Sequence, residues 1–482
     1  MFLGKNKRIK KLKDVLILYK IKKLKLIFDE NLNNIPIEHK VYILCFDMDK
    51  NLEIKDFLLQ KIGDEIKIVL LNNKYIIKLF YYHLLFLTNI SIEEHIEIFL
   101  PLNKEKYRKV LHNILKIKSF QYELVFDNTI PMYESSFGEI PNLLKNDNVA
   151  VLDRERKSKL LSTSIVIPKE INRNNKVLEF ISPSNIFFTS SSKNFSEGVK
   201  SVSIPHSLIL KPISKEILVR NFLLADYICL PTQTQFKYVK NLMIENLDKI
   251  NKQLCLIPLG YPKLEKLEKD LVSSYNNEKN AICYAPTLLT HNDEFLATLS
   301  LKNGIEIIDF LLNNFEYNVI FRPHPLIIQS EVNGKQYVLD ILKTFGNNPR
   351  FIYDDSSYYA ETFSKTLVMI SDFSSTMQTF AFATLQPFIA LSNSNFDKLY
   401  YNTFNDEDIR LNCGLVVNTL EELKKKFKYL VNNMGIYKQK ILEYKNNELF
   451  NLNCSSEYIA NNLIYIKNNI KNSDWYYLKF DE

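Results

Sequence analysis

The sequence predicts an α/β protein of two domains, each built on a parallel sheet. Short apolar runs rich in Val, Ile, Phe and Tyr recur along it, separated by longer stretches of helical periodicity, as in repeated strand–helix units. At 482 residues the chain is too long for one ordinary core, given ~150 residues per domain. The runs also fall into two series on either side of "KLEKLEKDLVSSYNNEKN" (263–280), which is polar and reads as a hinge.

The strands of the first series are "VYILCF" from 41, "IKIVLL" from 66, "VAVLD" from 149, "VKSVSI" from 199, "DYICLP" from 226 and "QLCLIP" from 253. The second series is "AICYAPT" from 281, "NVIFRP" from 318, "RFIYDD" from 350, "TLVMISD" from 366, "PFIALS" from 387 and "GLVVN" from 414. Between 100 and 200 the pattern is weaker. There a helical "EKYRKVLHNILKI" is followed by "RERKSK" and the Ser-rich "SPSNIFFTSSSKNFSEG", read as loops or an insertion. After 430 the periodicity is helical, ending in aromatics around the only tryptophan, Trp475, and a helix crossing back to the first domain fits this end. The expected division is a basic amphipathic segment (1–37), two Rossmann-like domains (38–270 and 271–435) and a C-terminal helical segment (436–482).

Composition narrows the class. Apolar residues make up 46% of the chain, aromatics 12% and charged residues 24%, values of a globular protein with sizeable cores. The six cysteines stand apart, with no CxxC and no Cys/His pair at metal-ligand spacing, so reduced and mostly buried thiols are expected. The basic N-terminus is not followed by an uninterrupted apolar region, which argues against a signal peptide. The longest apolar candidate, "LFYYHLLFL" (79–87), falls short of the ~20 residues of a membrane span. A cytoplasmic location is expected.

Net charge is +7, and ten Lys or Arg fall within the first 25 residues, interleaved with Leu, Ile and Val. A helix there suits an anionic membrane surface, at ~1 kcal/mol per basic residue near the headgroups. A solvated basic terminus is the alternative. Nucleic acid is not expected as a partner, because the rest of the chain is nearly balanced in charge and carries no nucleic-acid motif.

Five stretches carry candidate chemistry. In "LVMISDFSSTMQTFAFATLQPFIAL" (367–391) an apolar strand stops at Ser371 and Asp372, and helical spacing then runs to Pro387. Ser374 and Ser375 therefore lie near a helix N-terminus, where backbone N–H groups, the helix dipole and two hydroxyls converge as they do around a phosphate or diphosphate. Simple capping by Asp372 or Ser374, worth ~1 kcal/mol, is the plainer alternative. In "NVIFRPHPLI" a strand gives way to a rigid loop, where Pro323 and Pro325 restrict the backbone around His324 and Arg322 can face the same crevice as the serines. "AICYAPTLLTHNDEF" ends a strand before Pro286 and Thr287, in a loop that reaches His291, again at a carboxyl edge. In the first series "SVSIPHSLILKP" places His206 and Ser207 after a strand, and "LIPLGYPKL" places Gly260, Tyr261 and Pro262 after that domain's last strand.

Taken in the order GYP, YAPT, RPHP, SDxSS, the segments "GYPKL", "CYAPT", "RPHP" and "SDFSS" resemble the CDP-glycerol glycerophosphotransferase family, whose members build teichoic-acid-like poly(polyol phosphate) chains. The match spans roughly residues 200–430. It implies a GT-B architecture, with an N-terminal acceptor domain and a C-terminal nucleotide-donor domain around a central cleft. It also implies peripheral attachment to the inner face of the cytoplasmic membrane through residues 1–30.

By the same resemblance, His206 and His324 are the histidines of transfer. The donor would be held by Arg322, Ser371, Asp372, Ser374, Ser375, Thr287, Pro286, Gly260 and Tyr261. The chain departs from the family in having "IPHS" where a tryptophan precedes and a glycine follows the first histidine, and "GYPK" for "GYPR". Lysine lacks the bidentate fork of arginine.

The expected reaction is attack by a hydroxyl of a cell-surface glycan or polyol-phosphate chain on the distal phosphorus of a CDP-activated donor, with CMP leaving. His206 is the candidate general base, and Arg322, His324 and the helix terminus stabilise the departing phosphate. No cofactor is expected; Mg²⁺ held by Asp354, Asp355 and Asp372 is the alternative. Three rival functions remain: a GT-B glycosyltransferase using a nucleotide sugar in capsule or lipopolysaccharide synthesis, a nucleotide-sugar epimerase, and a non-catalytic membrane-bound assembly protein.

Overall fold

The computed structural model describes four short strands before residue 71 and most of residues 122–480. Within that span it leaves out 129–130, 146, 154–160, 162–163, 167–183, 191–198, 209–213, 273–278, 288–298, 326, 328–333, 357, 373 and 394–408. Most of the basic N-terminal segment, Cys45 and His291 therefore lie outside the described residues.

Strands β1 (Phe2–Leu3), β2 (Leu26–Ile27), β3 (Val41–Leu44) and β4 (Lys67–Leu70) form a small parallel sheet of their own, in the order β2-β1-β3-β4. The two runs expected to open the first Rossmann-like sheet thus pair in this separate sheet.

The first large sheet contains β5 (Tyr122–Asn128), β6 (Val149–Asp153), β7 (Ser164–Val166), β8 (Ser184–Thr189), β9 (Lys200–Ser203), β10 (Tyr227–Leu230) and β11 (Leu254–Pro258). Their order is β11-β10-β9-β8-β5-β6-β7, all parallel. The C-terminal strand Tyr476–Lys479 adds to β11 antiparallel, at the edge. β8 overturns the reading of the Ser-rich stretch as loops or an insertion, and β5 is a strand the sequence reading missed; the two are neighbours at the centre of this sheet. Within the Ser-rich stretch, "SNIFFT" is a buried strand, exposing only Asn185, with Ser184 at its start and Ser190 just past its end.

The second large sheet holds β12 (Ala281–Ala285), β13 (Asn318–Phe321), β14 (Phe351–Tyr353), β15 (Thr366–Ser371), β16 (Phe388–Leu391) and β17 (Gly414–Val417). It is wholly parallel, in the order β14-β13-β12-β15-β16-β17. The central strands β12 and β16 are buried along their whole length, so they read as continuous apolar runs and not as alternating ones. In each large sheet the chain winds outward from one strand and then returns to its other side. That is the doubly wound pattern, with its reversal between β5 and β8 in the first sheet and between β12 and β15 in the second.

The expected hinge begins as an amphipathic helix, α1 (Pro262–Val272), which buries Leu264, Glu265 and Leu267 while Val272 stays 70% exposed. Its polar composition hid a 3.6-residue apolar stripe. Together with Tyr261 just before it, α1 packs against Cys283, Met369, Met377 and Phe380 in one core cluster that joins the two large units.

Helix α2 (Thr376–Thr384) follows β15 and stops at Leu385, in the left-handed conformation (φ 54°), two residues before Pro387. Helix α3 (Met434–Glu448) crosses from the second unit to the first. Its buried Lys445 pairs with Glu268 of α1 and donates to the Phe382 carbonyl at 3.1 Å, while Glu448 accepts from the Thr234 hydroxyl at 2.9 Å. Helix α4 (Ser455–Asn468) then docks on the first unit, where Ile459, Leu463 and Ile466 join Trp475 in the core over β5 and β8. The Glu265 carboxylate accepts from the backbone of Ser455 and Ser456 and so caps this helix from α1.

All five described cysteines are free thiols; Cys454 is exposed and the other four are buried. Among the described residues no helix is long and apolar enough to cross a membrane.

Candidate functional site

The loops that follow β12, β13 and β15 converge at the reversal point of the second sheet, the position where open α/β sheets bind ligands. They are tied to one another by the backbone. The Thr287 N–H donates to Asp372 Oδ1 at 2.8 Å, the His324 N–H to the Pro286 carbonyl at 3.0 Å, and the Ser371 hydroxyl to the Ala285 carbonyl. The second-sheet residues singled out in the sequence are thus brought together. Pro286, Thr287, His324, Ser371, Asp372, Ser374 and Ser375 share one sheet edge, held by bonds that cross from loop to loop.

Ser374 stands at the mouth of α2. Its hydroxyl accepts from the Thr376 N–H at 3.2 Å and donates to the Thr376 hydroxyl at 2.9 Å, a local cap. Ser375, the residue before the helix, makes no side-chain capping bond. The first turn also holds a residue the sequence reading missed: Gln378, 2% exposed, whose Oε1 has no hydrogen-bond partner among the described residues. A polar side chain inside an otherwise apolar helix stretch was its only signal.

Arg322 is 9% exposed, and its guanidinium is engaged within the protein. It pairs with Asp354, donates to the Ser356 hydroxyl at 2.9 Å and to the Ser356 carbonyl at 2.8 Å, and lies 5.5 Å from the ring centre of Tyr359. Burial works to raise the Asp354 pKa, but hydrogen bonds from Ser356 and Thr362 and the Arg322 charge outweigh it and hold the carboxyl below its ordinary range. The arginine thereby straps the His324 loop to the loop after β14. Tyr359 also faces the ammonium of Lys263 from α1 at 5.0 Å, and the Tyr358 hydroxyl donates to Asp270.

The first unit meets this edge through Tyr261. Its hydroxyl donates to the His206 carbonyl at 2.9 Å and also bonds Thr379 of α2, while its ring is buried against Met377 and Phe380. Burial pushes the Tyr261 phenol up to about 12, so it stays a neutral donor. Gly260, before it, has φ 92°, and a Cβ there would collide with the Phe450 carbonyl and the Ser455 hydroxyl. The strained turn therefore serves close packing against the crossing segment. Tyr261 thus links the His206 loop to the helix that begins after Ser375.

Among the described residues no group of three or more His, Cys, Asp or Glu is arranged to hold a metal ion. Asp354 is taken up by Arg322, Ser356 and Thr362, and Asp372 by the Thr287 N–H.

No family model matches the chain, and no curated protein matches it in sequence. Solved structures do. The wall teichoic acid polymerase TagF aligns over 81% of this chain and 98% of its own, at 16% identity and a TM-score of 0.51. A form of the same polymerase soaked with CDPG aligns over the same shares at 17% identity and a TM-score of 0.50. At such identity the likeness is one of fold, and the fold is GT-B, as the sequence resemblance implied.

Proposed function

We propose that the chain is a transferase that moves a polyol-phosphate group of the glycerol-phosphate type from a CDP-activated donor to a hydroxyl of a cell-surface glycan or teichoic-acid-like polymer. The observation that carries this reading is the meeting of the RPHP loop, the Pro286–Thr287 loop and the N-terminus of α2 at one reversal point, cross-tied by the bonds to Pro286 and Asp372. The positive end of α2, the Ser375 hydroxyl and the proline-braced His324 favour paired phosphates there. The unit from 271 to 435 takes the donor and the unit from 38 to 270 the acceptor. Residues 1–30 bring basic charge to the anionic inner face of the cytoplasmic membrane.

In the transfer, the acceptor oxygen forms a bond to the distal phosphorus of the donor and the bond from that phosphorus to the bridging oxygen breaks, releasing CMP. His206 receives the proton of the attacking hydroxyl, an assistance typically worth ~10²- to 10⁴-fold. His324 and the helix terminus meet the charge that grows on the leaving phosphate. Arg322 contributes by fixing the loop that carries His324, since its own donors are held by Asp354 and Ser356.

A thermal-shift screen against CDP, UDP, GDP and CMP tests the donor, with stabilisation by the cytidine nucleotides as the expected result. Phosphorus NMR of the product then separates this reaction from glycosyl transfer, because only phosphotransfer leaves a new phosphodiester. His324→Ala abolishes turnover while the folded state persists; full activity in that variant defeats the assignment.

A further inference from the structure

The loop that carries His206 is held at its backbone and by one buried side chain. The Tyr261 hydroxyl donates to the His206 carbonyl at 2.9 Å, and Gln235 Nε2, on the helix Gln233–Ile244, donates to the Leu208 carbonyl. The Leu208 side chain is buried in the cluster that contains Tyr261, Met377 and Phe380. Met377 and Phe380 belong to α2, so a loop of the first unit is seated on a helix of the second. His206 itself is exposed. Its backbone is fixed while the residue stays open to solvent.

The bond from Tyr261 belongs to a longer run. A phenol has one proton to give, and here it goes to the His206 carbonyl, so towards Thr379 the phenol oxygen accepts. The Thr379 hydroxyl also donates to the Ser375 carbonyl at 3.2 Å. Hydrogen-bonded groups therefore join His206 to Ser375 without a break, through two side chains that are each 2% exposed. Thr379 lies four residues past Ser375, a rise of ~6 Å, so the run meets α2 about one turn beyond its mouth. The Tyr261 ring is buried and its proton is committed, so the residue acts through its neighbours and not by touching a donor.

We propose that Tyr261 is a positioning residue for transfer: its hydroxyl fixes the His206 backbone to α2, so that the proton acceptor on the first unit keeps a set distance from the donor at the helix terminus of the second. This rests on the transferase reading above and adds a residue to it. A misplacement of about 1 Å in a reacting group costs about 10²-fold in rate, and here the base and the donor are carried by different units. Without the Tyr261 bond the His206 loop keeps only its contacts through Leu208.

The test compares wild type with Tyr261→Phe, which keeps the ring in the cluster and removes only the hydroxyl, using CDP-glycerol as donor and a short poly(glycerol phosphate) oligomer as acceptor. The expected result is a kcat lower by about 10- to 100-fold, with donor and acceptor KM within about twofold of wild type. In a His206→Ala background the same substitution changes the residual rate by less than about twofold, because Tyr261 acts through that residue. A kcat within about twofold of wild type, or a loss that persists in full in the His206→Ala background, overturns the proposal. Thr379→Val breaks the run at its other end and serves if the phenylalanine variant does not fold; it lowers kcat with KM unchanged, and an unaltered kcat there counts equally against the proposal. Histidine-selective carbon-13 NMR gives a reading independent of turnover. The His206 resonance, identified by its loss in His206→Ala, shifts or broadens in Tyr261→Phe while that of His324 stays, and an unmoved His206 line overturns the proposal. Wild-type protein that does not turn over this donor, yet shows the moved line in the variant, sinks the proposed reaction and keeps the tie between loop and helix.

Discussion

Replacing Asp354 by alanine leaves the Arg322 guanidinium buried with no counter-charge. Arginine and aspartate side chains are 9% and 13% exposed, so little solvent screens the pair. Two hydrogen bonds to Ser356 and the Tyr359 ring remain as partners, all neutral. Removing one member of a buried pair costs ~3–5 kcal/mol; because both groups sit at a sheet edge, where water can reach in after the change, the low end applies, about 3 kcal/mol. The double variant Arg322→Met/Asp354→Leu removes the stranded charge and recovers most of that loss, to within ~1 kcal/mol of wild type. Urea unfolding followed by circular dichroism reads both. A single variant within ~1 kcal/mol of wild type, or a double variant no better than the single, refutes the view that a desolvated charge pair holds the His324 loop. Activity adds a further reading: the double variant regains stability but not turnover, because the methionine no longer straps the loop.

Three other outcomes follow from the geometry. Ser374→Ala loses the cap on Thr376 and ~1 kcal/mol of stability, whereas Ser375→Ala leaves stability unchanged but raises the donor Kd about 10-fold; calorimetry with CDP separates the two. Asp354 has a lowered folded-state pKa, so its contribution to stability is complete above the unfolded value of ~3.9 and fades as pH falls through the folded value. The stability gap between wild type and Asp354→Asn therefore narrows below about pH 4, measured by urea unfolding across an acid series. Gly260→Ala meets the Phe450 carbonyl at a backbone angle that costs an L-residue ~1–2 kcal/mol, so amide exchange quickens in Ser455–Asn468 before it does in β12 or β15.

The second sheet was legible in the sequence almost strand for strand. Its inner strands are buried on both faces and stand out as apolar runs between polar turns, and the RPHP and SDFSS segments fall where those runs end. The centre of the first sheet was not. β5 was not picked out at all, and β8 lies inside a Ser-rich stretch in which Ser184 opens the strand and Ser190 follows its end. Helix α1 was missed because charge outnumbers apolar residues along it, and only the spacing of Leu264, Leu267 and Leu271 betrays a buried stripe. For the candidate site, residue types and order pointed to one sheet edge, where the structure brings Pro286, Thr287, His324 and Asp372 together. They could not indicate that Arg322 is spent on Asp354, since that partner arrives from a different strand.

The strand Tyr476–Lys479 closes the open flank of the first large sheet, and Lys479 reaches the Ile250 carbonyl across 229 residues of sequence. During synthesis, the flank of β11 must therefore wait until the whole second unit has emerged from the ribosome. In the interval it presents unsatisfied backbone groups to any extended chain nearby. Assembly of this protein should accordingly suffer from premature termination late in the message more than its domain-by-domain layout would suggest.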